Sequence, residues 1–224
     1  GSADWWVYYR RLDYTGDSMR QGKKQKQVQP TSKKIEESLS YTVEVRDKEG
    51  RVLQRISAPS RSYVEQWNQL INAHASRADK TIRNTSGVEV SVSPYINNFR
   101  VIEVPPGTLG EIRWGMRIGK GTTPVAITDY ALEIPLVEGT GTDEFEHQVT
   151  IMTAPSVVGS TCSFTIRRSM KNSSGSTITS IKEIGCYIYT PSGYFLGFRD
   201  ILPSAVNVPN GGSITVTYTI KVTV

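Results

Sequence analysis

The chain is poor in the residues that most enzyme chemistry needs. Its 224 residues include only two histidines, His74 and His147, and two cysteines, Cys162 and Cys186. Acid–base and nucleophilic catalysis draw on convergent sets of His, Cys, Asp, Glu and Lys. Neither histidine stands at a zinc-type spacing from the cysteines, and the cysteines are too far apart for a metal motif. The expectation is a protein that is not an enzyme and uses no cofactor or metal. Both cysteines lie in alternating apolar runs and read as small buried thiols ahead of a disulfide. No apolar run approaches the length of a membrane helix, and no basic leader precedes an apolar segment. No membrane partner is expected. A start at Gly1-Ser2 without Met fits processing or a cloning remnant, so secretion stays open.

The 38% apolar and 21% charged content is that of a folded globular chain. The net charge of +5 is concentrated at one end. Residues 1–34 hold eight Lys or Arg against Asp4, Asp13 and Asp17, which accounts for the whole excess and leaves the remainder neutral. A basic arm on a neutral body points to an acidic protein surface, to nucleic acid, or to a solvated tail. The cations Arg10, Arg11, Lys23, Lys24 and Lys26 are interleaved with Gln, Ser and Gly rather than with stacking aromatics, which puts a protein partner ahead of nucleic acid. The arm also carries Trp5, Trp6, Tyr8 and Tyr9, an apolar load that should be docked on a neighbouring chain or on the chain's own body. These nine residues are the candidate assembly contacts.

Three regions follow from the patterning. Residues 1–38 read as an extended aromatic and basic arm, 39–110 as a hairpin, helix and strands packing on a sandwich, and 111–224 as the sandwich itself. Alternating runs at 41–45 and 52–56 flank Asp47-Lys48-Glu49-Gly50, a hairpin. After Pro59, Ser62 and Glu65 have capping-box spacing, and Tyr63, Val64, Trp67, Leu70, Ile71 and His74 recur at helical spacing to about residue 76. His74 reads as a core histidine. Strands are expected at 80–93, 99–104, 111–118, 145–153, 161–170, 177–190, 194–200 and 213–224, with hairpin turns at Asn172–Ser176 and Asn210–Gly212. In the last strand Ile214, Val216, Tyr218, Ile220, Val222 and Val224 share one face, which places it inside a sheet with that face buried. The fold class expected is mainly β: an antiparallel β-sandwich, jelly-roll or immunoglobulin-like, with one amphipathic helix and an extended N-terminal arm.

Between Gly119 and Thr142 the chain is turn-rich, and a loop of that length is usually functional or contact-making. Gly119-Lys120-Gly121-Thr122-Thr123 lacks phosphate-loop spacing and no helical pattern follows it. Asp143, Glu144 and Glu146 form no twelve-residue calcium loop and read as an exposed acidic turn. Trp114, Tyr130, Tyr187, Tyr189 and Tyr194 are candidates for stacking on sugars, although alternation suits most of them to a core or a cross-strand pair.

The run Trp114-Gly115-Met116-Arg117-Ile118-Gly119-Lys120-Gly121-Thr122-Thr123-Pro124-Val125, with Thr128-Asp129-Tyr130-Ala131-Leu132-Glu133, resembles a pattern in tailed-bacteriophage virion proteins. Phe164–Arg168, Asn172–Gly175, the Glu183-Ile184-Gly185 element, Arg199-Asp200 and the Gly-Gly-x-Ile-Thr-Val ending follow in the order of tail-fibre and collar modules. The likeness covers residues 112–224; the arm, the hairpin and helix, and Cys186-Tyr187 depart from it. It implies a β-sandwich module located in a virion, with copies of itself and other virion proteins as partners. The alternatives are a secreted or surface glycan-binding or receptor-binding module, and a nucleic-acid binder working through the basic arm.

Overall fold

The computed structural model describes residues 36–60, 62–94, 100 and 109–224, with residues 36 and 37 described at the backbone only. The chain divides into two units, Gly1–Lys33 and Lys34–Val224, and the second contains every described residue.

The described residues form thirteen strands and one helix. They are β1 (Glu36–Arg46), β2 (Val52–Ser60), α1 (Glu65–Ser76), β3 (Lys80–Arg83), β4 (Glu89–Val92), β5 (Gly115–Gly119), β6 (Val137–Glu138), β7 (Glu144–His147), β8 (Ile151–Met152), β9 (Ser156–Val158), β10 (Thr161–Lys171), β11 (Ile178–Thr190), β12 (Gly193–Val208) and β13 (Ser213–Thr223). The mainly β expectation holds. One sheet runs β2-β1-β13-β10-β7-β6, with β8 and β9 also on β10, and a second runs β12-β11-β5. Their inner faces share a single core that includes Val43, Val45, Ile166, Ile214 and Val216 from the first sheet and Met116, Ile118, Ile184 and Phe198 from the second. These positions alternate along their strands, as a sheet with one buried face requires.

The β1–β2 hairpin is not an addition packed on the sandwich. It supplies two of its strands, because β1 pairs with β13 from Glu36↔Thr223 to Arg46↔Ser213. Its turn is built as the residues imply: Asp47 Oδ1 accepts from the Glu49 and Arg51 amides at 3.0 and 2.8 Å, and Gly50 takes a positive φ of 83°. Asn172–Ser176 and Asn210–Gly212, expected as hairpin turns, instead carry the chain between sheets, since β10 and β13 belong to one sheet and β11 and β12 to the other. Asn172 fixes the crossing: its side-chain amide donates to the Ser176 and Val208 carbonyls, both at 2.8 Å. The single strand expected at 80–93 is a small separate hairpin of β3 and β4. The strand expected at 145–153 is broken into β7 and β8, which pair with β10 in turn, and β9 beyond it pairs with β10 as well.

The helix begins later than the capping-box spacing suggested. Val64 is its N-cap and no side chain caps it. Ser62 is drawn instead to Ser60, whose hydroxyl lies 2.8 Å away and donates to Asp200 Oδ2 at 2.7 Å. Tyr218 Oη donates to the same carboxylate oxygen at 2.7 Å, so Asp200 on β12 joins strands of the facing sheet. Burial pushes its carboxyl above the usual range, against the pull of the three hydroxyls around it. On α1, Leu70 and Ala73 are buried and Trp67 meets Phe198 edge-on at 6.0 Å, while Ile71 is exposed and His74 half-buried.

Strand β13 lies between β1 and β10, the interior placement expected. Its apolar face is only partly covered: Ile214, Val216 and Tyr218 are buried, Ile220 is half-buried, and Val222 and Val224 are exposed. The second sheet does not extend over that end. Deleting residues 213–224 removes the ladder partner of both β1 and β10, so the truncated chain should show no cooperative unfolding transition by circular dichroism. A folded, cooperative truncation product would contradict this placement.

Candidate functional site

The site begins with Glu183 on β11, whose side chain is 0% exposed. An isolated carboxylate there would be very costly, so its oxygens must be satisfied. Arg199 on β12, with a side chain 2% exposed, donates from Nε to Glu183 Oε1 at 2.6 Å. The Glu133 amide donates to Oε1 at 2.7 Å, and the Gly121 and Ile134 amides donate to Oε2 at 3.2 Å. One buried carboxylate therefore holds both ends of the segment from Gly121 to Ile134.

Arg199 completes the arrangement from the other side. It donates to Asp129 Oδ2 at 2.7 Å and to the Thr123 carbonyl at 3.1 Å, and lies 3.6 Å from Glu133 Oε2. Glu133 accepts from the Thr122 and Thr123 amides at 2.8 and 2.9 Å and from the Thr123 hydroxyl at 2.8 Å. These donors, the Thr123 amide first, hold its carboxyl below the usual range. Burial works against the charge of Arg199, but the hydrogen bonds it donates to Glu183 and Asp129 outweigh it and keep the guanidinium protonated. Asp129 Oδ2 also accepts from the Ala126 amide at 3.0 Å, and the Ile127 carbonyl accepts from the Glu65 amide at the start of α1 at 3.0 Å.

The glycines of the motifs are required by this packing. A Cβ on Gly119 would collide with Glu183 Oε2, and one on Gly121 would lie 2.6 Å from it. A Cβ on Gly185 would lie 2.9 Å from both Leu132 Cδ2 and the Phe198 carbonyl oxygen. The Gly-x-Gly-Thr, Asp-x-x-Leu-Glu, Glu-Ile-Gly and Arg-Asp elements, scattered over more than seventy residues of sequence, therefore meet at one place. Beside them lies a cleft of about 450 Å³ lined by Arg83, Thr128, Asp129, Tyr130, Glu133 and Arg199 among others. The Arg83 guanidinium covers the Tyr130 ring at 4.0 Å.

A second buried group lies between β5, β7 and β10. Arg168 donates to the carbonyls of Glu111, Trp114, Met116 and Gln148, and Arg117 to those of Ile112 and Leu136, the last at 2.6 Å. Both fasten irregular backbone to the sandwich. His147 lies close to Glu138 Oε2, with Nδ1 at 2.9 Å, a distance at which an ion pair would form if the ring were charged. Burial and the fields of Arg168 and Arg117 push the imidazole down to about 3, so the contact is a neutral ring donating a hydrogen bond.

Trp5, Trp6, Tyr8, Tyr9, Arg10, Arg11, Lys23, Lys24 and Lys26 lie outside the described residues. The carboxylates of the 143–146 turn are drawn to separate partners: Asp143 to Lys120 at 2.5 Å, Glu144 to the Gly141 amide at 2.8 Å, and Glu146 to Ser173. Trp114 stacks on Tyr194 at 5.9 Å and meets Tyr189 at 5.3 Å, with Arg113 over the first two rings, and Tyr187 is buried where its hydroxyl oxygen accepts from the Leu132 amide at 2.9 Å. Cys162 and Cys186 are unbonded, and burial pushes the Cys186 thiol far up. Glu183, Arg199 and Arg168 stand out in the sequence only as members of motifs. Their charge inside otherwise apolar strand runs was the available signal for a buried network.

Glu183→Ala should destabilise the chain by about 3–5 kcal/mol in chemical denaturation, because Arg199 is left buried without its main partner. Limited proteolysis should then cut within 121–134 before any other described segment. For His147 the ring binds its proton less readily folded than unfolded, so stability falls as pH drops from its ordinary value of 6.5 towards about 3. Between about pH 6.5 and 4.5 that loss should be about 2 kcal/mol, and His147→Gln should flatten it in denaturation midpoints measured across the window.

No family model, curated protein or solved structure matches this chain.

Proposed function

We propose that the chain is a virion structural protein of a tailed bacteriophage, in the capsid, neck or tail, which assembles with copies of itself and with other virion proteins. The observation that carries this reading is the convergence of the motifs that resemble virion modules on the Glu183–Arg199 network. Motifs that look unrelated in sequence are parts of one packed unit, which is what a module carrying them in that order would need. The aromatic and basic residues of the arm supply the contacts, with Trp5, Trp6, Tyr8 and Tyr9 as apolar anchors and Arg10, Arg11, Lys23, Lys24 and Lys26 as the charged complement to an acidic surface.

The network has a rigid scaffold role in this reading. Glu183 and Arg199 hold each other and loop backbone, which leaves neither poised to exchange a proton with a substrate. Sugar binding by stacking would need open aromatic faces, and Trp114, Tyr187, Tyr189 and Tyr194 are engaged with other side chains or buried.

Light scattering of the full chain at micromolar concentration should show assemblies larger than a monomer, with regular particles in negative-stain images. Trp5→Ala with Trp6→Ala should reduce assembly at least tenfold while the far-ultraviolet circular dichroism stays unchanged. A strict monomer with no affinity for phage particles would overturn the proposal. A DNA affinity that falls steeply with salt and disappears when the arm's cations are neutralised would favour the nucleic-acid alternative.

A further inference from the structure

The two ends of the larger sheet differ. At one end β2 carries Arg55 and Pro59, devices that discourage strand addition. At the other end, no residue from Gln148 to Ile166 is charged. Within that stretch β9 pairs with β10 through Thr161↔Val158, Cys162↔Val157 and Ser163↔Ser156. Among the described residues no strand lies on its outer side.

The same end is apolar on the face that elsewhere forms the core. Cys162 is opposite both Val222 and Val157, and Phe164 is opposite Ile220, so these residues share the face of buried Tyr218 and Val216. The second sheet stops short of them: Val157 is 71% exposed and Val222 40%, with Val158 at 79% and Met152 at 37% around them. Glu37 is the register partner of Val222 on β1.

We propose that this uncharged overhang, with the open edge of β9, is the surface through which a second copy of the chain binds, the two β9 strands pairing antiparallel about a twofold axis near Val157. This rests on the self-assembly reading and gives it a location. A twofold contact places each residue near its own equivalent, so a charged edge would meet its own charge. The β9 edge meets no such repulsion, whereas a twofold contact along the short β2 edge would bring Arg55 near its own equivalent. Pro155 has no amide hydrogen and Gly159 turns the chain with a φ of 60°, so pairing is confined to Ser156–Val158. A short paired strand flanked by apolar overhang closes a dimer without templating a longer sheet.

The experiment uses the full chain in three forms: unaltered, Val157→Asp, and Trp5→Ala with Trp6→Ala, each measured by sedimentation equilibrium. Val157 is exposed, so Val157→Asp should keep the native circular dichroism and melting temperature while weakening dimerisation at least tenfold. In a Cys162→Ser background, Val157→Cys should form a disulfide-linked dimer under mild oxidation. If Val157→Asp assembles as the unaltered chain does while the arm variant fails to, the β9 surface is wrong and the assembly reading stands. If the unaltered chain is monomeric at 100 µM on the order of a weak interface's range, both fail. Absence of the Val157→Cys crosslink in an assembled sample would overturn the twofold arrangement.

Discussion

The buried contact between Glu183 and Arg199 is the constraint on which the second sheet and its covering loop depend. Two charges have been taken out of water on adjacent strands, and each is satisfied mainly by backbone or by the other. A pair of this kind adds little net stability over an apolar equivalent, because desolvation offsets most of the attraction. What it contributes is position. The register of β11 against β12, Glu183↔Ile201 and Gly185↔Arg199, sets residues 183 and 199 diagonally within reach of each other, and the 119–135 segment follows a path that brings its amides to Glu183.

The rest of the sandwich relies on similar polar contacts between parts distant in sequence. Asp200, next to Arg199, takes hydrogen bonds from Tyr218 and Ser60 across the core. Neighbouring residues on β12 thus bind opposite sides: Arg199 faces the loop and Asp200 the other sheet, as the alternation of a strand requires. Arg168 and Arg117 do for the 111–116 segment what Glu183 does for the 121–134 segment, with guanidinium donors meeting carbonyls instead of a carboxylate meeting amides. The irregular parts of the chain are held by backbone hydrogen bonds to buried charge rather than by apolar packing alone.

Period-two alternation made β1, β2, β10 and β13 legible in the sequence, since in each one face is the more buried, whereas β11 is buried on both. It could not reveal that β10 and β11 belong to different sheets, because a Gly- and Ser-rich turn reads alike as a hairpin or as a crossing. The capping box at Ser62 failed because tertiary structure offered its hydroxyl a place in the Asp200 cluster. The apolar face of β13 was read in full, but its burial depends on how far the facing sheet reaches, which is a property of another strand. The motifs around Gly119, Asp129, Glu183 and Arg199 were legible as motifs; their common purpose was not, since spacing along the chain carries no trace of which carboxylate an amide will meet.

The manner in which the 121–134 segment is held bears on which changes it tolerates. Its conformation is set by the amides of Gly121, Glu133 and Ile134, the carbonyl of Thr123 and the inward carboxylates of Asp129 and Glu133. The side chains of Thr122, Pro124, Ile127 and Thr128 take no part in that fixation and are exposed. Related chains could therefore diversify these four positions freely while keeping the loop's shape, presenting a variable surface on an invariant frame, much as hypervariable loops are carried on a constant scaffold.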